Sequence, residues 1–161
     1  MAKIKVKIQR SREMASRPAD VFSLLADVPD SVSHFPDVDS LTPEAGGYRW
    51  TMKATAVAGI QVQTIYACRY HLDADELSVR WEPIRGVGNG QVHGSWNIEP
   101  SARGSRVDLV TEFEIELNLP FLLRGPAKPF VRGELGRLID DYLENLVATL
   151  EGGDGRLRSP R

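Results

Sequence analysis

The side chains able to do chemistry in this chain are few: three histidines, one cysteine and four tyrosines. His34, His71 and His93 show no paired metal-ligand spacing, so no metal site is expected. His71 and His93 fall on the polar phases of alternating segments, where solvent exposure is the simpler reading. Cys68 falls on an apolar phase with no basic residue sharing that phase nearby, so it reads as a buried structural thiol rather than a nucleophile. A lone cysteine can form neither an internal disulfide nor a cysteine-based zinc site, and it fits a reducing compartment. No Ser-His-Asp arrangement is evident. The hydroxyls of Tyr66, Tyr70 and Tyr142 could orient a carbonyl or act as acids, but buried tyrosine hydroxyls more often simply find a partner. The stretch Gly86-Val87-Gly88-Asn89-Gly90 is glycine-rich like a nucleotide loop. A dinucleotide fingerprint must open a helix after a strand. Here a strand follows, so a hairpin is favoured. No catalytic residue, metal or cofactor is assigned.

The elements that would position these residues are mostly strands. Residues 3–9 read K-I-K-V-K-I-Q, with Ile4, Val6 and Ile8 on one face and Lys3, Lys5 and Lys7 on the other. This strand is expected to run on toward Met14. Ser16 reads as an N-cap with Pro18 in the first turn of a helix carrying Val21, Phe22, Leu24 and Leu25. Pro29 is expected to end that helix, with one more turn over residues 32–35. From Val38 to Leu117 the chain alternates with period two. The inward phase holds Trp50, Met52, Ala54, Thr64, Tyr66, Cys68, Tyr70, Leu72, Trp81, Gly94, Trp96, Thr111 and Phe113. Ile60 to Leu72 reads as one run. Turn signals at Gly46-Gly47, Gly59, residues 73–75, 86–90 and 101–104 separate the runs. One polar and one apolar face indicate an antiparallel sheet covered on one side. The last strand's polar face carries Glu112, Glu114 and Glu116, a match for the lysines of the first strand if the two pair.

The closing element is a helix from about Pro129 to Leu150. Its apolar face is Val131, Leu135, Leu138, Tyr142, Leu146 and Thr149. Gly152-Gly153 stops it, and residues 153–161 read as a flexible tail. Residues 1–152 then form a single α+β domain: about seven curved antiparallel strands around one long C-terminal helix, with two short helices after the first strand. A helix crossing a curled sheet leaves space on each side. Mixed large and small inward residues make either a solid core or a small-molecule site, and the sequence leaves these alternatives even.

Ser16-Arg17-Pro18-Ala19-Asp20-Val21-Phe22-Ser23-Leu24-Leu25-Ala26-Asp27-Val28, then His34-Phe35-Pro36-Asp37-Val38, and the closing Leu143-Glu144-Asn145-Leu146 carry a further indication. Over residues 3–151 the chain resembles the START-like or SRPBCC superfamily, and within it the polyketide cyclase/dehydrase and lipid-transport group, with a coenzyme-Q-binding relative as a close reading. The resemblance implies the helix-grip fold and a hydrophobic-ligand cavity. It leads to the expectation of a non-catalytic binder or carrier of a lipid, isoprenoid quinone or polycyclic aromatic. The alternative is a cyclase or dehydratase acting in the same cavity. The residues expected to line it are Trp50, Met52, Thr64, Tyr66, Cys68, Tyr70, Trp81, Trp96, Thr111, Phe113, Leu138 and Tyr142.

The segment from Leu117 to Arg132, with Pro120, Gly125, Pro126 and Pro129, reads as an irregular connection over the cavity mouth. Phe121, Leu122, Leu123 and Phe130 are its entrance residues. They either cap the core or form a lid that touches a membrane transiently, with Arg124, Lys128 and Arg132 among them. A net charge of -2 gives no reason to expect a nucleic-acid partner. No apolar run approaches the roughly 18 residues of a membrane span. The N-terminus lacks the apolar block of a signal peptide, so a cytoplasmic location is expected.

Overall fold

The computed structural model describes residues 2–57 and 59–152. The tail expected over residues 153–161 lies outside them. Strand β1 (Ala2–Met14) opens the chain, followed by helices α1 (Pro18–Ala26) and α2 (Val28–Val32). Strands β2 (Val38–Glu44), β3 (Gly47–Met52), β4 (Thr55–Val57), β5 (Ile60–Val62), β6 (Ile65–Asp73), β7 (Ser78–Pro83), β8 (Gly90–Ser101) and β9 (Gly104–Leu117) come next. A 3-10 turn over Phe121–Leu123 leads into α3 (Arg124–Val147), which ends in a π-type turn over Ala148–Gly152. Seven strands form one antiparallel sheet in the order β1-β9-β8-β7-β6-β3-β2, while β4 and β5 pair as a separate hairpin. One long helix across a large antiparallel sheet is the helix-grip fold. At 24 residues, α3 extends about 36 Å.

The first and last strands pair as their charges require, with Lys3 opposite Glu116, Lys5 opposite Glu114 and Lys7 opposite Glu112. Lys3 reaches Glu114 at 3.3 Å and Lys5 reaches it at 3.8 Å. Glu112 turns instead to His93, at 3.3 Å. These groups are exposed, so each pair contributes only about 0.2–1 kcal/mol. The pairing is held mainly by the other face, where Ile4, Val6, Ile8, Phe113 and Ile115 are buried.

Several local expectations change. Pro18 at the first helical position puts the cap of α1 at Arg17, not Ser16, and Arg17 pairs with Asp20 at 3.1 Å. Ser16 instead ties in the turn that follows α3, its hydroxyl donating to the Leu150 carbonyl at 3.2 Å. Pro29 starts α2 rather than ending α1, because Asp27 caps the new helix by accepting from the Asp30 N–H at 3.2 Å. The expected turn over residues 32–35 survives as a hydrogen-bonded continuation, Phe35 N–H donating to Val32 at 2.9 Å. The run from Ile60 to Leu72 is two strands, parted at residues 63–64, where β5 leaves the sheet to pair with β4. Ala54 is exposed, and Leu72 is 54% exposed despite its inward phase.

The helix begins at Arg124, five residues before its expected start. Pro126 lies within the first turn, where its missing N–H costs nothing, and Pro129 removes one bond in the second. The segment from residue 124 to 132 is therefore helical, not an irregular connection. Thr149, expected on the apolar face, is exposed and meets His34 Nε2 at 2.8 Å.

Candidate functional site

The helical cover does not fill the concave face of the sheet. Two apolar hollows remain between them, of about 60 Å³ and about 100 Å³. On the same measure one water needs about 10–15 Å³. The inner hollow lies under α1, α2 and the middle of α3. The outer lies between the first half of α3, the end of β9 and the β4–β5 hairpin. Phe35, Tyr66 and Phe113 border both and form the wall between them.

The strands deliver the lining through their period. Trp50, Tyr66, Cys68, Tyr70, Trp81, Trp96, Thr111 and Phe113 come from β3, β6, β7, β8 and β9, and α3 adds Tyr142; all border the inner hollow. Met52, Thr64, Tyr66, Phe113 and Leu138 border the outer. Each side chain expected from the sequence to line a cavity thus borders one hollow or the other. The expected entrance residues divide. Phe130 borders the outer hollow, whereas Phe121, Leu122 and Leu123 border neither. Phe121 and Leu122 do not cap the core, being 79% and 84% exposed; Leu119 and Ala127 are buried on either side of them.

The rings hold one another in tilted and edge contacts. Phe35 meets Trp50 edge-on at 5.4 Å and Tyr142 at 4.9 Å. Trp50 stacks on Tyr66 at 5.3 Å, and Trp96 lies 6.4 Å from Trp81 and 5.8 Å from Tyr142. Such pairs are worth about 0.5–1.5 kcal/mol each beyond burial.

Polar atoms on the inner walls are all uncharged. Trp50 Nε1 donates to the Tyr70 hydroxyl at 2.8 Å. The Ser31 and Tyr142 hydroxyls bond each other. The Cys68 thiol donates to the Val92 carbonyl at 3.4 Å, and the Thr111 hydroxyl reaches the His93 carbonyl at 3.5 Å. Burial pushes the Cys68 thiol up to about 12. Burial likewise raises Tyr66, Tyr70 and Tyr142 above the usual phenol range, although Trp50 and Ser31 each pull their tyrosine partner back. None of these groups ionises near neutral pH. His71 and His93 lie outside the hollows, on Glu82 at 3.2 Å and Glu112 at 3.3 Å. Among the described residues no three His, Cys, Asp or Glu side chains gather to hold a metal ion. The outer hollow has a charged rim of Asp37, Lys53 and Glu134.

Sequence reasoning missed the contribution of the short helices. Leu25, Val28, Ser31, Val32 and Phe35 all border the inner hollow. In α2 and the turn after it the apolar steps 28, 32 and 35 carry that signal, since spacings of three and four mark one helical face.

A family model described as polyketide cyclase / dehydrase and lipid transport matches residues 5–151. No curated protein gives a significant match. Among solved structures, the Zhui aromatase/cyclase from Streptomyces sp. R1128 is similar at 16% identity and a TM-score of 0.61, over 98% of this chain and 97% of that one. The di-domain ARO/CYC StfQ from the steffimycin biosynthetic pathway is similar at 18% identity and a TM-score of 0.64, over 94% of this chain and 52% of that one. A START superfamily protein from Mycobacterium smegmatis is similar at 13% identity and a TM-score of 0.56, over 94% of this chain and 99% of that one. At these identities the likeness is one of fold.

Proposed function

We propose that this chain, which belongs to the polyketide cyclase/dehydrase and lipid transport family, binds and carries an apolar small molecule in the two hollows without transforming it. The observation that supports this reading is the inner lining. It is aromatic and aliphatic, with hydroxyls, one thiol and the indole N–H groups of three tryptophans as its only polar side-chain groups among the described residues. A lipid, an isoprenoid quinone or a polycyclic aromatic suits such walls. General acid–base work needs a group that exchanges protons near the working pH. Among the described residues the inner hollow has no carboxylate, amine, guanidinium or imidazole, and its phenols and thiol are held in their neutral forms. The test is mass spectrometry of what co-purifies with the folded protein, followed by titration of that compound back into stripped protein. Recovery unchanged with saturable binding is the expected outcome. Conversion to a cyclised or dehydrated product would replace this reading with an enzymatic one.

That second reading draws support from the family description and from the aromatase/cyclases of similar fold. Buried phenols could orient a reactive carbonyl for cyclisation even without titrating.

Delivery of such a ligand calls for contact with the phase that holds it. Phe121 and Leu122 project from the 3-10 turn, and Phe130 is 42% exposed at the edge of the outer hollow. Arg124, Lys128 and Arg132 lie among them with no carboxylate from residue 117 to 133. Apolar tips would enter the lipid interface while the cations met phosphates. Vesicles containing phosphatidylserine should retain the protein, and Phe121→Ser with Leu122→Ser should release it. No helix among the described residues is long and apolar enough to cross a membrane, so such contact would be peripheral.

A further inference from the structure

Tyr66 is buried at the wall between the hollows, yet its hydroxyl finds no hydrogen-bond partner among the described residues, and only burial and neighbouring acids act on it. The fully enclosed side-chain polar atoms that lack a partner there are Arg49 Nε and Ser101 Oγ. The Tyr66 hydroxyl is not one of them, so it faces the open space that its side chain borders. Tyr70 is in a related position. Its oxygen accepts from Trp50 Nε1 at 2.8 Å, and its own proton has no acceptor among the described residues. The Ser31–Tyr142 bond uses one of two hydroxyl protons and leaves the other free. A buried donor without an acceptor costs about 1–3 kcal/mol, which applies to the buried Tyr66; Tyr70 is half-buried, and both side chains border the inner hollow.

We infer that the hollows are a site for an apolar molecule bearing an uncharged carbonyl-type oxygen, a ketone or quinone, which accepts from Tyr66 where the two hollows meet and from Tyr70 within the inner one. This rests on the reading that the hollows hold a ligand, and it names the chemistry that selects the ligand. Phenols are stronger donors than acceptors, so a carbonyl satisfies them better than a hydroxyl does. Burial keeps both phenols protonated, so the donors persist across the neutral range. A carboxylate would lose its hydration with no cation on the inner walls to replace it, and Lys53 of the outer hollow shares its rim with Asp37 and Glu134.

The test is calorimetric titration of the full chain with three probes of one shape: 2-acetylnaphthalene, 2-ethylnaphthalene and 2-naphthoate. Each is run on the parent, Tyr66→Phe and Tyr70→Phe. Both substitutions remove a hydroxyl and keep the ring, and thermal unfolding checks that each variant folds. The expected result is that Tyr66→Phe weakens the ketone relative to the ethyl compound by about fivefold or more, while naphthoate binds weakest to the parent. If Tyr66→Phe does not fold, the same shift in Tyr70→Phe decides. A ketone-to-ethyl ratio unchanged within about twofold in every folded variant overturns the inference while leaving an apolar-ligand site in place. Naphthoate binding as tightly as the ketone also overturns it. Failure of both uncharged probes to bind removes the apolar-ligand reading and this inference with it.

Discussion

Cys68 illustrates how far a single side chain's chemistry is set by its surroundings. It is fully buried, its Sγ donates to the Val92 carbonyl, and burial pushes the thiol up to about 12. The thiolate is the reacting form, so its population at neutral pH is about three orders of magnitude below that of a thiol at the ordinary value of 9.0. A disulfide reagent should label Cys68 at least about a hundredfold more slowly in the native protein than in denaturant, followed by the release of thiolate chromophore. Equal rates would mean that the thiol is open to solvent. Tyr66, Tyr70 and Tyr142 are raised by the same burial. All four are acids whose folded values exceed their unfolded ones, so the folded chain keeps protons that the unfolded chain has begun to lose. Stability is complete below the unfolded values and falls from about pH 9 upward, the ordinary value for the thiol being 9.0. Each group adds a slope of up to about 1.4 kcal/mol per pH unit once the unfolded form has ionised. Denaturant midpoints should hold steady between about pH 7 and 8.5 and decline above that, and Tyr70→Phe should soften the decline.

At the scale of elements, Gly94 in β8 sits where backbone and ring crowd together. A Cβ there would lie 2.3 Å from the Val110 carbonyl oxygen and 2.9 Å from Trp81 Cζ2. Gly94→Ala must push β8 off β9 or displace Trp81 into the inner hollow, at a cost of about 1–3 kcal/mol. Gly133 in α3 has open space around it, and Gly133→Ala should stabilise by up to about 1 kcal/mol through helix propensity. Urea unfolding of the two variants reads the opposite signs. The strands were legible because period two assigns a face to every residue, as the lysine–glutamate match of β1 and β9 shows. Where register departs from a single sheet, period alone fails. Residues 60–72 keep one alternation through the break at 63–64, although only Ile65–Asp73 pairs in the sheet. The start of α3 was hidden by Gly125, Pro126 and Pro129, residues that signal irregularity except in the opening turns of a helix. Phe35 shares an apolar face with Val28 and Val32 in the sequence, but its position between the hollows depends on how α2 docks and so is not legible there.

For the molecule as a whole, the second half of α3 is held to the sheet by the burial of Ile139, Tyr142, Leu143 and Leu146 and by two exposed ion pairs, while the first half has only apolar contact. Arg10 meets Asp140 at 2.6 Å and Arg12 meets Glu144 at 2.5 Å, joining the second half of α3 to β1. The Arg12 contact also holds the Glu144 carboxyl below its usual range. Ahead of these clamps the helix rests on Ala127 and Val131 and borders the outer hollow. Amide hydrogens of residues 124–133 should therefore exchange faster than those of 138–146 in ligand-free protein, measured by mass spectrometry. The division into two hollows has an optical consequence. All three tryptophans, Trp50, Trp81 and Trp96, border the inner hollow and none borders the outer. Intrinsic emission is then a reporter for one compartment: a guest beyond Phe35 releases heat with little change in spectrum, and one that passes it alters the spectrum as well.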